Sequence, residues 1–143
     1  MIVKLAENKT DKDKVFNIRR LVFVEEQKVP LELEIDEFDD SDSVLHLIGF
    51  HNDKAVAASR IRFVNDYAKL ERIAVLKDFR GKNFGAEMVQ AMEKEILNHN
   101  CYKAVLNAQT YAEDFYKKLG YTTKSNIFID AGMPHVTMDK ALN

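Results

Sequence analysis

The stretch Arg80-Gly81-Lys82-Asn83-Phe84-Gly85-Ala86 constrains the fold of this chain more than any other. It follows an apolar, strand-like run from Leu70 to Leu76. It opens a helical repeat of Phe84, Met88, Met92 and Ile96, with Val89 and Ala91 beside it. Another strand-like run, Tyr102 to Ala108, comes after that helix, so residues 70–108 read as a strand–helix–strand unit. Its first turn gathers backbone N–H groups at the positive end of a helix dipole. That geometry binds phosphate, and the strand before it can hold the rest of a long cofactor. Arg80 and Lys82 supply charge, the amides of residues 81–86 supply directional donors, and Gly85 allows close approach to the backbone. A solvated basic loop is the competing reading of the same residues. Neither G-x-G-x-x-G nor G-x-x-x-x-G-K-[ST] occurs, which argues against a dinucleotide fold or a P-loop.

The flanks of this unit read as hairpins. Residues 2–6 alternate weakly, as in a short edge strand. Thr10 leads a helix to about residue 27, with Val15, Ile18 and Val22 on one face and Asp13 as capping partner, and Pro30 ends the pattern. Val44 to Phe50, Ala55 to Val64 and Ala68 to Leu76 form an antiparallel meander around turns at His51–Lys54 and Asn65-Asp66. Thr110-Tyr111-Ala112-Glu113 is a capping box for a short helix facing inward through Ala112, Phe115, Tyr116 and Leu119. Gly120 can close that helix in a left-handed conformation. Strands at about 121–129 and 135–140 flank the turn Ala131-Gly132-Met133-Pro134. The sum is a single α+β domain over residues 1–143 with a mixed sheet.

Composition excludes several classes of function. With 46 % hydrophobic and 31 % charged residues, no bilayer-length apolar run and no signal-peptide pattern, a cytoplasmic protein without membrane contact is expected. The lone Cys101 rules out an intrachain disulfide and any multi-cysteine metal site, and it has no basic partner that would make it a nucleophile. A formal charge of −2 gives no basic stripe for nucleic acid. His46, His51, His99 and His135 lack metal-ligand spacing, so no metal is expected; His46 and His135 read as hydrogen-bonded core or rim residues, with a functional role near the cleft as the alternative for His135. The acidic run from Glu25 to Asp42 is either a solvated surface or a negative rim that attracts a cationic amine. Arg60, Arg62 and Arg72 point toward an anionic acceptor group or simply toward those carboxylates.

A second chemical candidate is Phe115-Tyr116-Lys117-Lys118-Leu119-Gly120-Tyr121. A tyrosine on the inner face of a helix is usually core, with its hydroxyl partnered at the rim. A phenol of pKa about 10 can also protonate a departing thiolate, whose conjugate thiol has a pKa of about 8.5.

Together, these two elements carry a resemblance. The chain resembles the GNAT superfamily of acyl-CoA-dependent N-acetyltransferases over nearly its whole length. The family's loop pattern, Arg/Gln-x-x-Gly-x-Gly/Ala, is matched at Arg80 and Gly85, with Asn83 where the first glycine normally stands. Asn is the residue best able, after glycine, to take a left-handed or N-cap conformation. Gln109-x-x-Ala112-x-x-Phe115-Tyr116-x-x-Leu119-Gly120-Tyr121 is similar to the second signature. Within the superfamily the chain looks most like the ElaA/YjcF-type branch. That likeness rests on Arg19–Pro30, Glu34-x-Asp36-Glu37-x-Asp39, Leu70–Val75 and Gly132-Met133-Pro134-His135-Val136.

The resemblance implies a GNAT-type, mostly antiparallel sheet of about six or seven strands with about four helices. It implies acetyl-CoA as cosubstrate, with pantetheine along the backbone of Ile73, Ala74 and Val75. The pyrophosphate would lie on the amides of Gly81, Lys82, Asn83, Phe84, Gly85 and Ala86, near Arg80. Asn107 and Gln109 would fix pantetheine or the adjacent helix. The acceptor is then a primary amine of a small molecule or peptide, attacked directly in a ternary complex. Backbone N–H of residue 74 or 75 would polarise the thioester carbonyl, and Tyr116 would protonate the leaving thiolate. An alkyl ammonium has a pKa of about 10.4, so a base or water must take its proton; Glu71 is the best placed carboxylate by sequence, unless it pairs with Arg60 or Arg62. An acyl-CoA-binding sensor with little catalysis is the alternative. The sequence leaves open whether the final strands build a homodimer.

Overall fold

The computed structural model describes residues 1–143. The first half of the sheet is a meander in which β1 (Ile2–Leu5), β2 (Leu45–His51), β3 (Lys54–Val64) and β4 (Tyr67–Val75) pair antiparallel in sequence order, the centres of β2 and β3 being continuous buried runs. The β2–β3 turn places Asn52 and Asp53 at φ of +50° and +66°, a hairpin geometry that these two side chains tolerate well. A crossover then brings β5 (Lys103–Gln109) alongside β4 in parallel. β8 (Met133–Ala141) pairs antiparallel with β5, and the short β6 (Thr122–Thr123) and β7 (Phe128–Asp130) pair with β8. The sheet has eight strands, in the order β1-β2-β3-β4-β5-β8-β6 with β7 on β8.

Helices cover both faces. On one side α1 (Lys9–Arg19) and the π-helical turn Arg20–Glu26 bury Val15, Ile18 and Val22 against Ile48, Ala58 and Ala74. On the other, α3 (Phe84–Asn98) sets Phe84, Met88, Val89, Met92 and Ile96 against Leu47, Ile61, Leu70 and Leu106. The short α2 (Leu31–Glu34) and α4 (Glu113–Lys118) complete a set of four α-helices. None of the helices is long and apolar enough to cross a membrane.

Several expectations are corrected in detail. Asn8, not Thr10, caps α1: its side chain accepts from the Asp11 amide at 2.8 Å. The chain leaves the helix at Gln27, with Lys28 at φ +64°, so Pro30 starts α2 and does not end α1. Thr110–Ala112 is a 3₁₀ turn without the capping box, because the Glu113 carboxylate accepts from the Thr123 hydroxyl instead. The strand expected at 121–129 is split into β6 and β7, where the Ser125 hydroxyl replaces a backbone acceptor for Thr137 N–H. The following turn is Ala131-Gly132, both at positive φ, and Pro134 lies within β8 opposite Ile129.

The contact between β4 and β5 is the feature that positions the site. Pairing covers only Ala68–Leu70 against Ala104–Leu106, although both strands continue for several residues. At this point β4 carries a bulge. Arg72 and Ile73 oppose the single Ser59 between the pairs Arg60↔Glu71 and Ala58↔Ala74, and Arg72 sits at φ +56°. A bulge bends its strand, so β4 parts from β5 and leaves its facing edge unpaired from Glu71 onward.

An ion network ties the acidic segment over this opening. Arg19 donates to Glu34 Oε2 at 2.6 Å and to Asp39 Oδ1 at 2.7 Å. Arg60 donates to Asp36 at 2.6 Å, Asp39 at 2.9 Å and Glu71 at 2.9 Å. Arg72 donates to Glu34 Oε2 at 3.0 Å and Asp36 at 3.2 Å, and Arg62 to Glu71 at 3.2 Å. Glu34, Asp36 and Asp39 are therefore neither a free negative rim nor a solvated surface. They are the counter-ions of Arg19, Arg60 and Arg72.

Burial pushes the Asp39 carboxyl up. Hydrogen bonds and charge from Arg19, the Asp36 amide and Arg60 outweigh that and hold it at about 2. A carboxyl depressed on folding contributes stability that is full above its unfolded value, about 3.9, and is lost as pH falls through the folded one. Urea unfolding measured from pH 6 to pH 2 should therefore show stability falling between about pH 4 and 2. Asp39→Asn should destabilise the protein by about 3 kcal/mol at neutral pH and flatten that acid slope.

Candidate active site

The loop after β4 is built to present bare amides. Its Gly81 sits at φ +77°, with nothing within 4 Å of where a Cβ would lie, so glycine is there for its backbone. Asn83 caps α3 at φ +68°, ψ +12° without using its side chain. A left-handed residue followed by a right-handed helix aims successive N–H groups to one side, as in an anion nest. The amides of residues 81–86 have no acceptor within the protein, so six consecutive donors stand at the positive end of a four-turn helix. Gly85 also serves packing: a Cβ there would lie 3.3 Å from the Phe115 ring, so the glycine makes room for α4.

Arg80 links this loop to its surroundings. Its Nε donates to the Val75 carbonyl at 3.0 Å, and its Nη atoms donate to the two Glu26 oxygens at 2.5 and 2.8 Å. This is a bidentate carboxylate clamp, which a phosphate can imitate. One carbonyl of the Ile73-Ala74-Val75 stretch is therefore already engaged.

Where β4 and β5 part, a cavity of about 420 Å³ opens. Glu71 and Ile73 line it from β4, and Asn107 and Gln109 from β5. Phe23 and Gln27 enter from the π-helical turn, Tyr116 from α4 and His135 from β8. Gln109 donates to Gln27 at 3.2 Å, closing the strand end against the turn, and Asn107 accepts from the Thr137 hydroxyl at 2.8 Å. Of the site residues expected from sequence, the structure gathers Glu71, Ile73, Asn107, Gln109 and Tyr116 on this one cavity. Arg80–Ala86 stand beyond it, at the far end of β4.

Tyr116 packs edge-on against Phe115 and Tyr121, and burial pushes its phenol up to about 12, with Tyr111 adding to the effect. Its hydroxyl has no protein partner and is not sealed from solvent, so the cavity is its outlet. Such a group stays protonated at neutral pH and has a proton to give. Glu71 is different. Burial pushes its carboxyl up, but Arg62 and Arg60 outweigh that and hold it below the usual range. The pairing reading of Glu71 is the one the geometry realises, and a carboxylate so stabilised is a weak base.

Sequence reasoning missed two features. The Arg72 bulge leaves no signal, because arginine has no preference for positive φ. Glu26 lay unmarked in an acidic run, and its partner is 54 positions away.

The profile of the acetyltransferase (GNAT) domain family matches residues 22–142. A protein of Bacillus subtilis (strain 168) described as an uncharacterized N-acetyltransferase, YjcF, is 42 % identical over 137 residues, covering 95 % of this chain and 96 % of the relative. The crystal structure of Escherichia coli ElaA superposes with a TM-score of 0.88 at 23 % identity, covering 98 % of this chain and 99 % of that one. An aminoglycoside 6'-N-acetyltransferase complexed with coenzyme A superposes with a TM-score of 0.75 at 17 % identity, covering 99 % and 97 %.

The left-handed cap is open to a direct test. Asn83→Gly should leave the melting temperature unchanged or slightly raised, whereas Asn83→Val should cost about 1–2 kcal/mol from backbone strain. Equal melting of the two variants in thermal denaturation would show that the cap is unstrained.

Proposed function

The chain belongs to the GNAT acetyltransferase family, and on that premise we propose that it transfers the acetyl group of acetyl-CoA to the primary amine of a small molecule or peptide by direct attack. One observation carries the reading. A row of unpartnered amides at the start of α3 stands at the end of an open strand edge, and that edge leads into a cavity holding a protonated tyrosine. A long ligand with an anionic end and a reactive far end fits such a track.

In this reading the pyrophosphate lies on the amides of Gly81–Ala86 and takes the place of the Glu26 carboxylate on Arg80. Pantetheine pairs with the unpaired edge of β4 along Ile73, Ala74 and Val75, as an added strand would, while Asn107 and Gln109 bound its other side. The thioester reaches the cavity. Backbone N–H from residue 74 or 75 polarises its carbonyl, and the donor is pre-aimed because the bulge fixes the strand. The neutral amine attacks the carbonyl carbon, and the C–S bond breaks. Tyr116 gives its proton to the departing sulfur and recovers one from the amide nitrogen. Glu71, held ionised by Arg60 and Arg62, attracts the incoming ammonium toward the thioester.

Tyr116→Phe should lower turnover by about 100-fold or more while leaving acetyl-CoA affinity intact. Amine-dependent thiol release and calorimetric CoA binding are the paired measurements. Unchanged turnover across pH would remove the acid role, and CoA binding without turnover for every amine would favour an acyl-CoA sensor.

Arg80 and Glu26 generate a second expectation. Arg80→Ala should weaken CoA binding by about tenfold or more. Glu26→Gln should strengthen it about three- to fivefold, because the guanidinium no longer has to leave a carboxylate. Unchanged affinity in Arg80→Ala would remove the loop assignment.

A further inference from the structure

Transfer to an amine, on the reading above, needs a group that takes the ammonium proton, and Glu71 is poorly suited to that step. His135 is placed for it. It lies on β8 directly opposite Gln109 and lines the same cavity as Tyr116, Glu71 and Asn107. The residue is only 8 % exposed, and its ring stacks on Phe128 with centroids 6.0 Å apart and planes 24° apart, so its orientation is fixed.

The tautomer is fixed as well. Nδ1 lies 2.8 Å from the Met133 carbonyl oxygen. A carbonyl only accepts, so Nδ1 carries the hydrogen of the neutral ring and Nε2 carries the lone pair. Nε2 has no protein partner. It is also not among the sealed orphan atoms, which are His46 Nδ1 and Arg60 Nε, so it opens into the cavity. Open to the cavity and uncommitted within the protein, this lone pair is free to take a ligand proton.

We infer that His135 Nε2 accepts the proton of the incoming ammonium. The N–H bond of the acceptor breaks, its electron pair stays on nitrogen, and the proton forms imidazolium at Nε2. The neutral amine then attacks the thioester carbon as above, and the imidazolium later releases its proton to water at the cavity mouth. Amide and thiol are formed and one proton is set free, so the step balances.

The other titratable groups on the cavity do not offer this. On β4, Glu71 is matched by Arg60 and Arg62, while Lys69 and Arg72 are cations. Glu34 of α2 is held by Arg19 and Arg72. Asp130, on the hairpin beside His135, is an exposed carboxylate and so a weaker base than an imidazole, whose ordinary pKa is about 6.5. Tyr111 and Tyr116 present phenols, which are proton donors at neutral pH.

The experiment measures amine-dependent thiol release by wild type, His135→Gln and His135→Ala from pH 6 to 10, with CoA binding and melting temperature as controls. Both strongly basic amines and weakly basic ones, neutral at the assay pH, are used. For a strongly basic amine at pH 7, kcat/KM should fall about 100-fold in His135→Gln. The loss should shrink toward pH 10 and for the weakly basic amines, and added imidazole should restore part of the His135→Ala rate. Unchanged kcat/KM, or a loss equal for all amines at all pH values without imidazole rescue, would overturn the assignment while leaving the transferase reading intact. Absence of wild-type turnover with every amine would overturn both.

Discussion

The parting of β4 from β5 is the constraint on which the rest of this structure depends. Two parallel strands begin to pair at Ala68–Leu70, and then one of them bends. The bend comes from a single extra residue, Arg72, held in a left-handed conformation opposite Ser59. A bulge in the middle of a sheet leaves hydrogen-bonding groups without partners, a cost that is tolerated where a ligand can supply them. Everything on either side serves that opening. The amide-rich loop lies beyond its β4 end, Tyr116 and His135 stand within it, and the π-helical turn closes over it through Gln27 and Gln109.

Holding such an opening in shape needs rigidity close by, and the arginine–carboxylate network supplies it. Arg19 and Arg60 are fully buried, and their charges are compensated by Glu34, Asp36, Asp39 and Glu71. Networks of this kind add less to stability than their contacts suggest, because desolvating each ion opposes the attraction. Their effect is to fix position. The segment 31–40 has few apolar anchors of its own, since Leu31, Leu33 and Ile35 are exposed, so its placement over the cavity is electrostatic. The same network accounts for Glu71, which is kept ionised and in place and is thereby turned from a base into a fixed negative charge.

Much of this was legible in the sequence, and the reasons differ from element to element. The meander and α3 follow from local periodicity, with Phe84, Met88, Met92 and Ile96 falling on one buried stripe. The phosphate-type loop was legible because Gly81 and Asn83 announce left-handed backbone and Arg80 announces charge. The inward placement of Tyr116 was legible from the apolar face it shares with Ala112, Phe115 and Leu119. The start of the first helix was not legible because Asn8 and Thr10 are both good caps, and it is the Asn8 side chain that takes the Asp11 amide. The contact of Gly85 with Phe115 was not legible, because Phe115 lies 30 residues away. The acidic run stayed open between a solvated surface, a negative rim and a set of partners for Arg60, Arg62 and Arg72, because charge patterns along a chain carry no record of which arginines will fold beneath them.

The sequence by itself determined the α+β class, the strand–helix–strand unit and the family, since these rest on contacts between near neighbours and on short motifs. It also determined that a glycine-containing basic turn would precede α3. Only the tertiary structure decided how the residues of the candidate site are partnered. Glu71 became a paired ion, Arg80 a partner of Glu26, and His135 a ring with one committed nitrogen and one open nitrogen. The physical reason is that the protonation and availability of a side chain are set by burial and by partners brought in from across the fold. Those partners lie tens of residues away in the chain, where periodicity and spacing have nothing to say.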